Sequence, residues 1–206
     1  MNPWMMLLIG AGVVAVIALL LYLWFGVYMA KQKNAYCRAH AGRQMQSMAK
    51  RWGHIYLRGV RLPFEDKSVK IDHMVIGTFG VVLLNGYDGH GSLYGSRGDQ
   101  GWYLYDKDNK HKKTLPNPMT RMENGIAAMR KVFAENGVYN VTNVDAFVVF
   151  GNGVELNVSL SGKEPVRVLP LKRFGREMGR SKYQMEGKVD PEKAVEALRK
   201  AAESIE

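Results

Sequence analysis

The chain has 206 residues, and its 29 Lys and Arg against 19 Asp and Glu give a formal net charge of +10. This length suits one domain with an additional segment and excludes two full-sized domains. No Asp, Glu, Lys, Arg or His precedes Lys31, which argues against a simple soluble globule, a disordered chain and a multi-pass transporter. The single cysteine, Cys37, excludes a disulfide framework and a cysteine zinc site.

An apolar segment opens the chain, and residues 3–30 contain almost no polar side chain. As a helix this segment would be roughly 40 Å long, enough to cross a hydrocarbon core of about 30 Å. The competing interpretation is a cleaved signal peptide, but a positively charged start and a small-residue cleavage site are both missing. The sequence therefore predicts one transmembrane helix over residues 1–30.

The flanking charges predict which way this helix points. Six cations follow it within about twenty residues, and the positive-inside rule then places the N-terminus outside the cell membrane and the domain in the cytoplasm. These cations are Lys31, Lys33, Arg38, Arg43, Lys50 and Arg51. They indicate contact with anionic lipid headgroups or with nucleic acid. Lipid is favoured because the neighbouring apolar segment already explains where the cations lie.

The remaining chain reads as alternating helices and strands. A basic helix is predicted over residues 35–52, and a second helix follows Asn117-Pro118 over residues 119–136. Strands are predicted at residues 55–62, 69–76, 81–84, 101–105, 144–150 and 166–169, and further helices at residues 171–178 and from Pro191 to about Ser204. The fold class is therefore α/β, a mixed central sheet flanked by helices, with one transmembrane helix before it.

These elements suggest four parts of the chain. Residues 1–30 are the transmembrane helix and residues 31–54 a basic juxtamembrane helix. Residues 55–179 form the α/β domain and residues 180–206 a C-terminal amphipathic helix. Within the domain, Lys112 and Lys113 are predicted to lie at a solvated hairpin tip, and Asp72-His73 to cap a turn at a strand edge.

One dense motif carries a family resemblance. From Ile71 the chain reads IDHMVIGTFGVVLLNGYDGHGSLYG, followed by Trp102 and then Asn117-Pro118. This resembles the NERD (nuclease-related) domain pattern IDHxVIGxxGVxxIExKxxxGxIxG, then Trp, then NPxxQ, over about residues 40–170. The resemblance implies a restriction-endonuclease-like PD-(D/E)xK fold, in which Mg²⁺ held by hard oxygen ligands activates water against a phosphodiester.

The resemblance also implies which residues stand at the family's active site. Asp72 holds the place of the family's Asp, while Asn85 and Tyr87 stand at the Glu and Lys places. Arg43 falls at the helix Glu, and Arg121 replaces the Gln of NPxxQ. An amide oxygen is a poor substitute for a carboxylate at Mg²⁺, and a neutral phenol cannot supply the charge of Lys. These substitutions indicate a dismantled metal site, with no bound metal or other cofactor.

Two functions follow from these substitutions. The first is a membrane-anchored pseudo-nuclease that binds nucleic acid or protein without cleaving it, and the sequence identifies no protein partner. Its candidate nucleic-acid contacts are Lys70, Arg43, Lys112, Lys113 and Arg121.

The alternative function is an active, Mg²⁺-dependent DNA nuclease whose catalytic ligands have migrated. Asp72 would then bind the metal together with Glu65, Asp66 or Asp88, and Lys70 would supply the cation. Lys70 lies two residues before Asp72 and therefore on the same face of a strand.

Overall fold

The computed structural model describes residues 15–25, 36–106, 108, 110–162 and 164–203. Residues 15–25 form helix α1, and all of them are exposed. The rest of the predicted transmembrane helix over residues 1–30 lies outside the described residues. Among the helices that are described, none combines the length and the apolar character that crossing a bilayer requires.

The domain contains four further α-helices and nine strands among its described residues. In chain order they are α2 (Cys37–Trp52), β1 (Ile55–Phe64), β2 (Lys67–Gly77), β3 (Gly80–Tyr87), β4 (Gly91–Ser96), β5 (Gly101–Tyr105), β6 (Lys112–Pro116), α3 (Pro118–Glu135), β7 (Val144–Phe150), β8 (Val154–Ser159), β9 (Val166–Pro170), α4 (Leu171–Glu177) and α5 (Pro191–Glu203). A short 3₁₀ helix, Ser181–Gln184, separates α4 from α5.

The strands form two mixed sheets. The larger has the order β1-β2-β3-β7-β9, with β1, β2 and β3 antiparallel and β7 and β9 parallel to β3. The smaller has the order β6-β5-β4-β8, and its parallel pair is β4 with β8. The parallel pair β3/β7 of the larger sheet thus continues along the chain into the pair β4/β8 of the smaller one.

Helices cover both faces of the larger sheet. The apolar side chains of α2 and α4 pack with Val75, Leu84 and Phe147 on one face. On the other face α3 and α5 pack in a larger core that also receives Trp102 from the smaller sheet. The interior strand β7 is apolar along almost its whole length because it is covered from both sides.

Local signals set the ends of the helices. Asn117 caps α3 by accepting the Met119 N–H at 2.9 Å, with Pro118 in the first turn. Asp190 caps α5 by accepting the N–H groups of Glu192 and Lys193, each at 3.1 Å. Helix α2 ends at Gly53, whose φ of 69° is in the left-handed region.

The α/β class with mixed sheets and flanking helices is confirmed, but three details differ from the predictions. There are two sheets instead of one central sheet, because the glycine-rich chain after β3 pairs as β4. Lys112 and Lys113 lie on strand β6 and not at a hairpin tip. Asp72 and His73 lie inside β2, between two neighbouring strands, and not at a strand edge.

Candidate functional site

The site is built where β2 and β3 separate. Their last regular pair is His73 with Leu84, and beyond it side chains replace the backbone ladder. The Asp72 N–H donates to Asn85 Oδ1 at 2.9 Å, and the Gly86 N–H donates to Asp72 Oδ2 at 3.1 Å. Asp72 and Asn85 are 8% and 2% exposed. The residues at the family's Asp and Glu places are therefore in direct contact.

A guanidinium from α2 covers the Asp72 carboxylate. Arg38 Nε lies 3.0 Å from Asp72 Oδ2 and also donates to the Gly86 carbonyl at 3.3 Å. The backbone N–H of Arg38 donates to Asp88 Oδ1 at 3.3 Å. The first turn of α2 is thus held by two carboxylates. The Arg38 cation takes a position next to the one family carboxylate that remains.

Tyr87, at the family's Lys place, provides no cation. Burial raises the pKa of its phenol, and the nearby Asp72 charge adds to this, while Arg121 acts in the opposite direction. The ring stacks on Phe150 with 5.2 Å between centroids. Tyr87 is therefore neutral at pH 7, and Arg121, at the Gln place, is near enough to influence its pKa.

His73 fixes the position of α2 on the sheet. With its proton on Nε2, the neutral ring donates to the Arg38 carbonyl at 3.0 Å and accepts from the Tyr56 hydroxyl at 2.7 Å through Nδ1. Burial lowers the pKa of this imidazole more than the neighbouring Asp72 raises it. The ring lies directly under Gly42, where an added Cβ would be 2.4 Å from His73 Cε1. His73 is a structural contact between β2 and α2.

The other sequence-predicted residues do not join Asp72. Arg43 is exposed on α2, and its Nη2 lies 3.0 Å from His40 Nδ1. Lys70 is exposed on β2, and the ion pair found for Asp72 among the described residues is with Arg38. Lys112 and Lys113 are exposed on β6, where the Lys112 ammonium lies 3.7 Å from the Tyr103 ring centroid.

Arg38 is the site residue that the sequence did not single out. In the sequence it is only one of six cations that follow the apolar segment. Nothing in the spacing of residues 38 and 72 links them, because the contact forms only when α2 packs across β2 and β3. A cation at the start of a helix with no acidic side chain in its first turn was the available signal.

The site does not fit Mg²⁺. This ion requires near-octahedral oxygen ligands at 2.0–2.1 Å. Asp72 Oδ2 already accepts from Arg38 and Gly86, and Asn85 Oδ1 accepts from Asp72. Within the described part of the chain no three His, Cys, Asp or Glu side chains are grouped closely enough to hold a metal.

Glu65 and Asp66, two candidate metal ligands of the alternative function, lie far from Asp72. Both are in the turn between β1 and β2. The five residues from Lys67 to Asp72 place that turn roughly 16 Å along the strand. These two carboxylates therefore cannot share a metal ion with Asp72.

Comparison with protein families assigns the domain. The model of the nuclease-related domain, NERD, matches residues 33–151, more than half of the chain. The chain belongs to the NERD family. The matched part of this NERD domain runs from α2 to the end of β7, and so includes Arg38, Asp72 and Asn85. A search of curated proteins and a search of solved structures each found no match. Membership indicates a function related to nucleic acid.

Proposed function

We propose that this NERD protein binds nucleic acid without cleaving it. The observation that carries the proposal is the ion pair of Arg38 with Asp72, 3.0 Å between Nε and Oδ2. In a PD-(D/E)xK nuclease, which the NERD motif resembles, this carboxylate would face a divalent cation. Here the chain supplies its own cation at that carboxylate, and the amide of Asn85 stands at the family's Glu place.

The excess of positive charge on the chain supports binding of nucleic acid. Phosphate contacts from Lys and Arg provide most of the affinity of proteins for nucleic acid without sequence preference. The chain has a formal net charge of +10. Loss of the acidic ligands also removes groups that would repel phosphates when no metal is bound. A domain of this kind keeps the binding surface of a nuclease-related fold after its metal chemistry is gone.

The proposal is tested with the full chain purified in a neutral detergent. Supercoiled plasmid is incubated with excess protein and Mg²⁺ or Mn²⁺, and binding of a labelled DNA duplex is followed by fluorescence anisotropy. We expect binding that weakens with salt and no metal-dependent nicking. Nicking that disappears in Asp72→Asn, and persists in the control Glu192→Gln on α5, would contradict the proposal. Absence of binding at low salt would contradict it as well.

The second candidate is an active nuclease, and one contact favours it. Asp88 and Asp72 both bond to Arg38, one through the backbone N–H and the other through the guanidinium. Two carboxylates therefore approach the same residue. The plasmid assay decides between the candidates, because this one requires cleavage that depends on both Asp72 and Asp88.

We also propose that residues 1–30 anchor the protein in the cell membrane, with the domain in the cytoplasm. The support is the long apolar segment and the cations that follow it. Alkaline carbonate extraction of expressing cells should leave the full chain in the membrane pellet. Protease added to intact cells should leave a C-terminal tag uncut. Release by carbonate would contradict the anchor, and cleavage of the tag in intact cells would contradict the orientation.

A further inference from the structure

Two basic elements far apart in the sequence meet on one face of the domain. Helix α2 carries four Lys and Arg side chains and no carboxylate. The chain around α4 carries Lys172, Arg173, Arg176 and Arg180 with a single carboxylate, Glu177. That carboxylate is already paired, at 2.7 Å each, with Arg167 and Arg180. Helix α4 packs against α2, so the two basic elements lie side by side.

A groove of about 360 Å³ lies between these two elements. Its α2 wall contains Arg43, Ser47, Arg51 and Trp52. Its other wall includes glycines at positions 175 and 179, which have no side chains to fill it. The described lining residues include no Asp or Glu, so no carboxylate opposes the two guanidinium groups. Such a groove offers several hydrogen-bond donors to an anion and an aromatic ring beside them.

We infer that this groove binds the phosphate backbone of a nucleic-acid strand. The inference rests on the proposed function and names the surface that performs it. Guanidinium groups bind phosphate oxygens through two parallel N–H bonds, and Trp52 gives a neighbouring base a surface for stacking. The groove is separate from the Asp72 site, because its described lining residues include neither Asp72 nor Arg38.

A strand fits the groove better than a lipid surface does. Closeness to the apolar segment explains the cations of α2, including the two that line the groove, but it does not explain the cations of the neighbouring α4, which follow more than a hundred residues later. A bilayer surface is flat on this scale, so its headgroups would contact projecting side chains. A single strand, in contrast, can enter a groove that is closed on two sides and reach its floor.

The test uses the full chain in neutral detergent with a labelled single-stranded DNA oligonucleotide, measured by anisotropy between 50 and 200 mM salt. The variant is Arg43→Gln/Arg51→Gln. The matched control is Arg130→Gln/Lys131→Gln, which removes two exposed cations from α3. For the groove variant we expect affinity about tenfold lower and a log–log salt slope smaller by about 1.4, the value for two lost phosphate contacts on a single strand. The control should lose much less.

The results separate this inference from the proposed function. Equal losses in the two variants, or none in either, would overturn the groove as the binding surface while nucleic-acid binding itself stands. A parent chain that binds neither this oligonucleotide nor the DNA duplex at low salt would overturn both, and one that binds only the duplex would overturn the groove alone. Binding of short-chain phosphatidylserine is measured for the same variants in order to test the lipid alternative. If Arg43→Gln/Arg51→Gln lost lipid binding and kept DNA binding, the groove would belong to lipid headgroups and the inference would be wrong.

Discussion

Replacement of Gly42 by Ala tests the contact between α2 and the sheet. In the middle of an ordinary helix this change stabilises by about 1 kcal/mol, since Ala has the higher helix propensity. Here the new methyl group would lie 2.4, 2.7 and 2.8 Å from three atoms of the His73 ring. An ordinary contact needs about 1 Å more, so either the ring or the helix must move.

Neither movement is free. The His73 ring is held by the Arg38 carbonyl at 3.0 Å and the Tyr56 hydroxyl at 2.7 Å, and each hydrogen bond contributes about 0.5–1.5 kcal/mol. If α2 moves instead, overpacking costs about 1–3 kcal/mol. Either movement therefore costs about 1–3 kcal/mol, and after the gain in helix propensity we expect Gly42→Ala to lower the free energy of unfolding by up to about 2 kcal/mol.

Urea denaturation of the full chain, followed by tryptophan fluorescence, measures this difference. Gly125→Ala in α3 is the matched control, because its Cβ would lie 3.3 Å from Ile71 Cγ1 and 3.4 Å from Ile71 Cδ1, much less close than the Gly42 contact. We expect Gly125→Ala to stay within about 1 kcal/mol of the parent. If Gly42→Ala stabilised the protein, or matched Gly125→Ala, the close contact between Gly42 and His73 would be refuted.

Three further predictions concern the same part of the domain. Arg38→Met should lower the free energy of unfolding by about 1–3 kcal/mol, because it leaves the buried Asp72 carboxylate without its charged partner. In the same urea titration, adding Asp72→Asn should recover part of this loss. The free energy of unfolding should fall as the pH drops below about 6.5, because burial lowers the pKa of His73 and the unfolded chain therefore takes up a proton there before the folded chain does. This fall should be smaller in His73→Gln. An equal fall in the parent and in His73→Gln would assign it to other groups. Burial raises the pKa of the Cys37 thiol to about 12, so iodoacetamide at pH 8 should modify Cys37 only after urea is added, and rapid modification of the folded chain would contradict its burial.

The sequence predicted those elements whose pattern is set locally. Strand β7 was placed at residues 144–150, as observed, because a fully covered strand is continuously apolar. Strands β4, β6 and β8 were missed because their sequences are glycine-rich, basic or partly polar. Strands β4 and β8 pair with each other although they are far apart in the sequence, and this depends on β3 and β7 continuing side by side into the second sheet. Strand β6 is the edge strand that pairs with its hairpin neighbour β5.

The same contrast between local and long-range signals applies to the candidate site. The family motif grouped Asp72, Asn85 and Tyr87, and the structure places Asp72 against Asn85 at the separation of β2 and β3. Arg38 could not be found in this way, because its contact with Asp72 depends on where α2 crosses the sheet. That crossing is set by Gly42 over the His73 ring, a steric match that neither residue signals alone.

The presence of Asp72 therefore has a structural explanation that does not require catalysis. Its carboxylate accepts the Gly86 N–H where the β2/β3 ladder ends and pairs with Arg38 at the start of α2. A buried carboxylate with these two partners stabilises the strand separation and the helix at once. The first turn of α2 depends on this aspartate through its ion pair with Arg38. For that reason the role of this site is tested more directly by the loss of stability in Arg38→Met, and by its partial recovery with Asp72→Asn, than by the presence of the aspartate.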